Sequence, residues 1–232
     1  MTSPPEILPP IHPAPQRPTR SLSEAASKSL LAAFGLPFLD EELVNSGAAA
    51  VNAAERFGYP VVAKLCGDAI AHKTERGLVR LNLNDAESLA AAVEELLAAA
   101  RPTDGALGVL VAPMVRGARE LIAGLVDDPQ FGMTIMVGIG GIAAEALGDV
   151  AIRLAPITEL DAQEMLDDLS TQALLGPFRG EPAVDRAEVQ RVLMALSTVA
   201  AAHPEVVSVD LNPLIIVDGK PVAVDALVEV QS

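Results

Sequence analysis

The chain has 232 residues, half of them apolar, and 16 Lys and Arg against 31 Asp and Glu, a formal net charge of −15. That apolar share excludes wholesale disorder. So acidic a chain, with five Phe, one Tyr and no Trp, carries neither the basic footprint nor the stacking platforms of a nucleic-acid binder. The charge is unevenly placed: residues 1–80 hold 8 basic and 8 acidic side chains, residues 81–232 hold 8 and 23. No apolar run approaches the roughly 20 residues of a membrane span, and no apolar leader opens the chain, so a cytoplasmic protein without membrane contact is expected. One cysteine, Cys66, excludes an intrachain disulfide and a cysteine-based zinc site, and reads as a small core residue.

In chain order, residues 1–20 contain seven prolines and read as a disordered tail in which His12 has no role. Ser23 is placed to cap a helix over EAASKSLLAAFG, which Gly35 and Pro37 end. Ser46 caps GAAAVNAAERFG, closed by Gly58, and VVAKLCG follows as a strand carrying Lys64. RLNLN, from Arg80, alternates like a half-buried strand, and Asn84 or Asp85 caps the helix AESLAAAVEELLAAAR. GVLVAPMV and RELIAGLV are strands around a turn at Gly117. MTIMVGIGG and VAIRLAP are further strands, Gly138, Gly140 and Gly141 marking a tight strand exit. Residues 159–175 and the segment AEVQRVLMALSTVAAAHP are predicted helical. VVSVDLNPLIIV and PVAVDALVEV are two last strands joined at Asp218-Gly219. Interleaved helices and hairpins make the fold class α+β (mixed α/β).

No P-loop, Rossmann glycine motif, paired-histidine zinc motif or nucleophile elbow occurs. Two dispersed groups carry chemistry. Lys64 precedes His72-Lys73-Thr74-Glu75-Arg76-Gly77, a donor-rich loop that suits a polyphosphate or is simply a solvated hairpin tip. Asp210 and Asn212 share one strand face, and the final hairpin brings Asp225 opposite them. Three oxygen-bearing side chains on apolar strands suit Mg²⁺ with nucleotide phosphates; the alternative is a hydrogen-bonded network. Glu120, opening a strand after the linker Ala112-Pro113-Met114, is placed to accept from ribose hydroxyls.

The blocks VVAKLCGDAIAHKTERGLV, VLVAPMVRGARELIAGLVDDPQFG, MVGIGGIAAEALGDVAIRLAP and VVSVDLNPLIIVDGKPVAVDA, in this order, resemble the ATP-grasp domain of NDP-forming acyl-CoA synthetases. In that family this is the β subunit of ADP-forming acetate–CoA ligases, related to the β subunit of succinyl-CoA synthetase. The resemblance covers about residues 21–230. It implies two lobes with ATP or ADP and Mg²⁺ in the cleft between them: a small lobe over about 45–110, and a large lobe of 21–44 plus 111–232. It implies that Lys64 contacts the nucleotide phosphates or adenine, that Lys73 also binds the nucleotide, that the hinge from Ala112 to Val115 reads the base, and that Glu120 holds the ribose. Asn212 and Asp225 match the Mg²⁺ ligands, with Asp210 beside them, and His72 matches a histidine that relays phosphate. The implied activity is ligation of an acid to CoA through a phosphohistidine, in a hetero-oligomer with a CoA-binding α-type subunit. Two departures stand out. Leu78 replaces the second glycine of the phosphate loop, and Ala112 and Pro113 replace polar hinge residues. A stand-alone carboxylate ligase with another acceptor, and a non-catalytic nucleotide-binding regulatory module, remain open as alternatives.

Overall fold

The computed structural model describes residues 18–70, 73–141 and 148–232. Among the described residues eleven strands form two sheets, and each ladder between them is antiparallel. The smaller contains β2 (Glu42–Val44), β3 (Val61–Gly67), β4 (Val79–Leu83) and β5 (Ala106–Pro113) in the order β2-β5-β3-β4. The larger contains β1 (Thr19–Ser21), β6 (Glu120–Asp128), β7 (Gly132–Ile139), β8 (Val150–Leu154), β9 (Val206–Val217), β10 (Lys220–Ala223) and β11 (Leu227–Gln231). Its order is β1-β11-β9-β6-β7-β8, with β10 also paired to β9.

Each sheet has its own core, as expected when each must bury one face against helices. In the smaller, α2 (Gly47–Phe57) and α3 (Ala86–Ala98) pack on β3 and β5 and enclose Val61, Leu65, Leu89 and Leu96. Leu78 belongs to this core, so its side chain turns into the lobe rather than toward the loop it follows. In the larger, α4 (Glu159–Asp168) and α5 (Arg186–Ala202) cover β6, β7 and β8 over Leu121, Ile135, Met165, Leu193 and Leu196. The helix starts are those the sequence marks. Ser23, Ser46 and Asp85 each accept from the backbone three residues on, at 3.3, 3.3 and 2.8 Å, satisfying an otherwise orphaned N–H.

Helix α1 (Glu24–Ala32) lies between the sheets, touching β11 in the larger and β3 in the smaller. Its buried stripe is Glu24, Ser27, Lys28 and Leu31, three polar residues where an amphipathic helix ordinarily has apolar ones.

Four expectations are corrected. Thr19 and Arg20, placed in the tail, pair with Gln231 and Val230 of β11; the remainder of that tail through residue 17 lies outside the described residues. The small sheet takes in Glu42–Val44 and runs to Pro113, slightly beyond the 45–110 span expected for the small lobe. The helix expected through residue 175 stops at Asp168, because the Asp149 carboxylate accepts from the N–H groups of Ser170 and Thr171 at 2.7 and 2.8 Å. A short 3₁₀ turn, Gln172–Leu174, follows. Finally, PVAVDALVEV is two strands. Its ladder breaks between Ala223 and Leu227, where the chain leaves β9 as a partner and resumes pairing at Asp210. Asp225 therefore sits in a break between strands, not on one.

Candidate functional site

Two cavities adjoin where the sheets meet. The first, about 440 Å³, is walled by Val62 and Lys64 of β3, Val79 and Leu81 of β4, the connection from Ala112 to Gly117, Glu120 of β6, and Pro213 and Ile215 of β9. Its apolar walls, with a few polar groups at the margins, suit a flat heterocycle carrying polar substituents. The second, about 500 Å³, is walled by Glu24, Asp68, Lys73, Glu75, Asp210, Asn212 and Leu227. Thr74 and Asp225 line both, so the two spaces share a seam.

Lysines crowd that seam around one carboxylate. Lys64 Nζ donates to Glu24 Oε1 at 2.7 Å and to the Val224 carbonyl at 2.6 Å. Lys28 Nζ lies 2.8 Å from the same Oε1 and donates to Glu41 at 2.6 Å and to Val224 O at 3.2 Å. Lys73 Nζ donates to Glu24 Oε2 and, at 3.0 Å, to Asp225 Oδ1. The break in the last strand thus has a use: it turns the Val224 carbonyl and the Asp225 carboxylate toward the lysines.

Burial alone would neutralise Glu24, but Lys64, Lys28 and Lys73 together outweigh it and hold the carboxyl well below the usual range. Burial likewise works against the charge on Lys28 and on Lys73. Glu24 with Glu41, and Glu24 with Asp225, reverse this and raise both ammonium groups above their ordinary value. Glu41 is pushed up, mainly by burial. Burial, with the charge of Asp225 added, also pushes Asp210 up.

Arg76 closes the loop between β3 and β4 from behind. Its guanidinium forks onto Asp104 at 3.0 and 2.8 Å, so among the described residues of this loop Lys73 is the cation that lines the seam.

The oxygen set fits a hard cation in kind. Asp210 and Asn212 alternate outward on β9 around buried Leu211, and Asp225 faces the same cavity. Among the described residues no group of three or more His, Cys, Asp and Glu side chains is arranged to hold a metal. Two carboxylates and an amide are nevertheless what Mg²⁺ takes when phosphates and water complete its shell. The Asp210 carboxyl is raised by burial and, after it, by the charge of Asp225, and a cation beside both groups would offset each of these.

Lys64, Ala112, Val115 and Glu120 are therefore gathered around the first cavity and Lys73, Asp210 and Asn212 around the second, with Asp225 common to both. His72, the expected phosphate relay, lies outside the described residues. Sequence reasoning passed over Glu24, Lys28 and Glu41. The available signal was Glu24 and Lys28 at an i, i+4 spacing, in line with Ser27 and Leu31 on one face of the helix. Near Glu120, the expected tight strand exit is explicit. Gly140 donates its N–H to the Glu120 carbonyl at 2.8 Å, and a Cβ there would stand 3.1 Å from the Glu120 backbone carbon. Among the described residues no helix is long and apolar enough to cross a membrane.

A family model described as an ATP-grasp domain matches residues 14–230. The β subunit of ADP-forming acetate–CoA ligase II of Pyrococcus furiosus is 39% identical over 200 residues, 84% of this chain and 85% of that one. The β subunit of ligase I of the same organism is 34% identical over 210 residues, 89% and 90% of the two chains. The solved acetyl-coenzyme A synthetase 1 of Ca. Korarchaeum cryptofilum, in complex with coenzyme A and Ca-AMPCP, superposes with a TM-score of 0.85 at 33% identity, over 91% of this chain and 93% of that one. The chain belongs to the ATP-grasp family, in the branch that forms the β subunits of ADP-forming acid–CoA ligases.

Proposed function

We propose that this chain is the nucleotide-binding β-type subunit of an ADP-forming acid–CoA ligase, passing a phosphoryl group between ATP and a CoA-binding α-type partner. The observation that carries this is the seam: an apolar cavity of nucleoside size, with Lys64 at its margin, opens onto a second cavity lined by Lys73, Asp210 and Asn212, with Asp225 common to both. Relatives that match most of the chain are named β subunits of such ligases, which supports the need for a partner.

In this reading the base lies against the Ala112–Val115 connection, between Leu81 and Ile215, and Glu120 accepts from the ribose hydroxyls. The phosphates cross the seam, where Lys64 and Lys73 donate to their oxygens. Asn212 and Asp225, with Asp210 beside them, hold Mg²⁺, which neutralises charge on the transferring group when bound. The neutral imidazole of His72 attacks the γ-phosphorus. An N–P bond forms as the bond from that phosphorus to the β,γ-bridging oxygen breaks, and ADP leaves with the bridging oxygen. Transfer to the α-type partner, acyl phosphate formation and capture by CoA then follow on that subunit; run in reverse, the same steps make ATP.

The test is a phosphorylation assay with ATP labelled on the γ-phosphate, the full chain and its CoA-binding partner. Wild type is expected to give acid-labile label on protein and to release ADP. His72→Ala is expected to bind ADP normally and give no label beyond background on either subunit. Full labelling in His72→Ala removes the relay role, and absence of any ATP-dependent labelling in wild type removes the ligase reading.

A further inference from the structure

We propose that Glu24 is the positioning residue for the lysines of this cleft: from the large lobe, its carboxylate holds Lys64 and Lys73 of the small lobe in the arrangement that receives nucleotide phosphates. The proposal rests on the nucleotide-binding reading above and adds to it a residue that does not itself meet the nucleotide.

The carboxylate is anchored before it meets any lysine. Helix α1 is pinned to β11 by two bonds, Leu22 N–H to the Val228 carbonyl at 2.8 Å and Val228 N–H to Ser27 Oγ at 3.1 Å. Glu24 occupies the first turn, behind the Ser23 cap, where the helix end favours an anion. Its side chain is only 3% exposed. Both oxygens are committed, Oε1 to Lys64 and Lys28 and Oε2 to Lys73.

The lysines need such an anchor. A lysine stem has four rotatable carbons and a strongly hydrated head, so an unpartnered ammonium in a cleft swings toward water. Three of them in one place also repel one another. A shared buried anion removes the repulsion and fixes each head, so that less ordering is left for the ligand to bring about. The remaining partners hold the same arrangement from behind: Glu41 on Lys28, and the Val224 carbonyl on Lys28 and Lys64. Glu24 is itself negative and cannot attract phosphate, so it acts only through the amines.

The experiment measures binding, not turnover, on the full chain. Calorimetric titration with ADP in the presence of Mg²⁺ is compared with titration with adenosine, which fills the apolar cavity but has no phosphate. Glu24→Gln keeps the side-chain shape and removes the charge. ADP affinity is expected to fall about tenfold, the loss of one charge-assisted contact, with adenosine affinity unchanged. Glu24→Asp keeps the charge on a shorter stem and is expected to lose about threefold for ADP alone. It carries the same comparison if Glu24→Gln does not fold. Equal losses for ADP and adenosine mean a merely structural role and overturn the proposal. So does ADP affinity that is unchanged or tighter in both variants, since Glu24 would then compete with phosphate or be idle. Wild type that binds neither ligand overturns the nucleotide reading itself, a result distinct from the others.

Discussion

Lys73 Nζ lies 3.0 Å from Asp225 Oδ1, joining the loop after β3 in the small lobe to the strand break before β11 in the large one. The cation expected to meet phosphate and the carboxylate expected to meet Mg²⁺ thus hold each other across the cleft. A bound Mg²⁺–nucleotide would take over both partners at once, the metal replacing the ammonium beside Asp225 and a phosphate oxygen replacing the carboxylate beside Lys73.

This arrangement makes the metal dependence separable. Asn212→Ala combined with Asp225→Ala is expected to weaken Mg²⁺–ADP binding about 10–100-fold, the usual scale for disturbing a metal shell. Metal-free ADP should be affected far less. Titrations with and without EDTA read the difference, and an unchanged Mg²⁺ increment removes the metal assignment.

Stability should carry the signature of Glu24. Folding favours its ionised form, because the lysine charges outweigh burial. Its contribution is therefore present in full above the ordinary value of 4.5 and is lost as pH falls below that, toward the depressed folded value. Glu24→Gln, which leaves three buried ammonium groups short of one anion, is expected to cost about 3 kcal/mol at pH 7. The gap to wild type, from urea midpoints, should stay constant between about pH 7 and 5.5 and narrow below 4.5. A gap that widens toward acid contradicts the sign.

The two cores should yield separately. Leu89, fully buried against β3, belongs only to the small-lobe cluster. Leu89→Ala is expected to cost about 3 kcal/mol and to lower hydrogen-exchange protection in β3, β4 and β5. Protection in β6, β7 and β9 should stay near wild type, since their core is a separate cluster. Uniform loss across both sheets would show that the lobes unfold as one unit.

Gly124 controls the placement of Asp210. The two are register partners on β6 and β9, and a Cβ at Gly124 would stand 2.5 Å from the Val209 carbonyl oxygen, a backbone atom that cannot step aside alone. Gly124→Ala is expected to push the ladder apart, at about 1–3 kcal/mol. It should also reduce the Mg²⁺-dependent part of ADP binding while adenosine binding persists. A variant with wild-type midpoint and wild-type Mg²⁺ dependence would show that β9 has slack the packing does not reveal.

Much of the architecture could be read from local patterns. The caps at Ser23, Ser46 and Asp85, the strand VVAKLCG and the turn at Asp218-Gly219 are contained in a few neighbouring residues, and each appears where expected. The alternation that puts Asp210 and Asn212 on one face needs no more than a strand's period of two. The helix through residue 175 failed because its end is set by Asp149, a carboxylate on a distant segment that offers the backbone a better acceptor. PVAVDALVEV read as one strand because its composition is uniformly strand-like; only the change of register partner from Leu214 to Asp210 breaks it.

The uneven charge of the chain takes on its meaning in the same way. A balanced first segment and an acidic remainder follow from composition alone, as do the apolar stripes, the caps and the two candidate clusters of cations and oxygens. That Lys64 and Lys73 converge on Glu24, 40 and 49 residues away in the chain, was decided in the tertiary structure. The physical reason is that a helix pattern read from apolar residues passes over Glu24 and Lys28, whose burial depends on partners that no local pattern names. A charge inside a protein is tolerated only with its partners, and here those partners are supplied by packing a second sheet against the first.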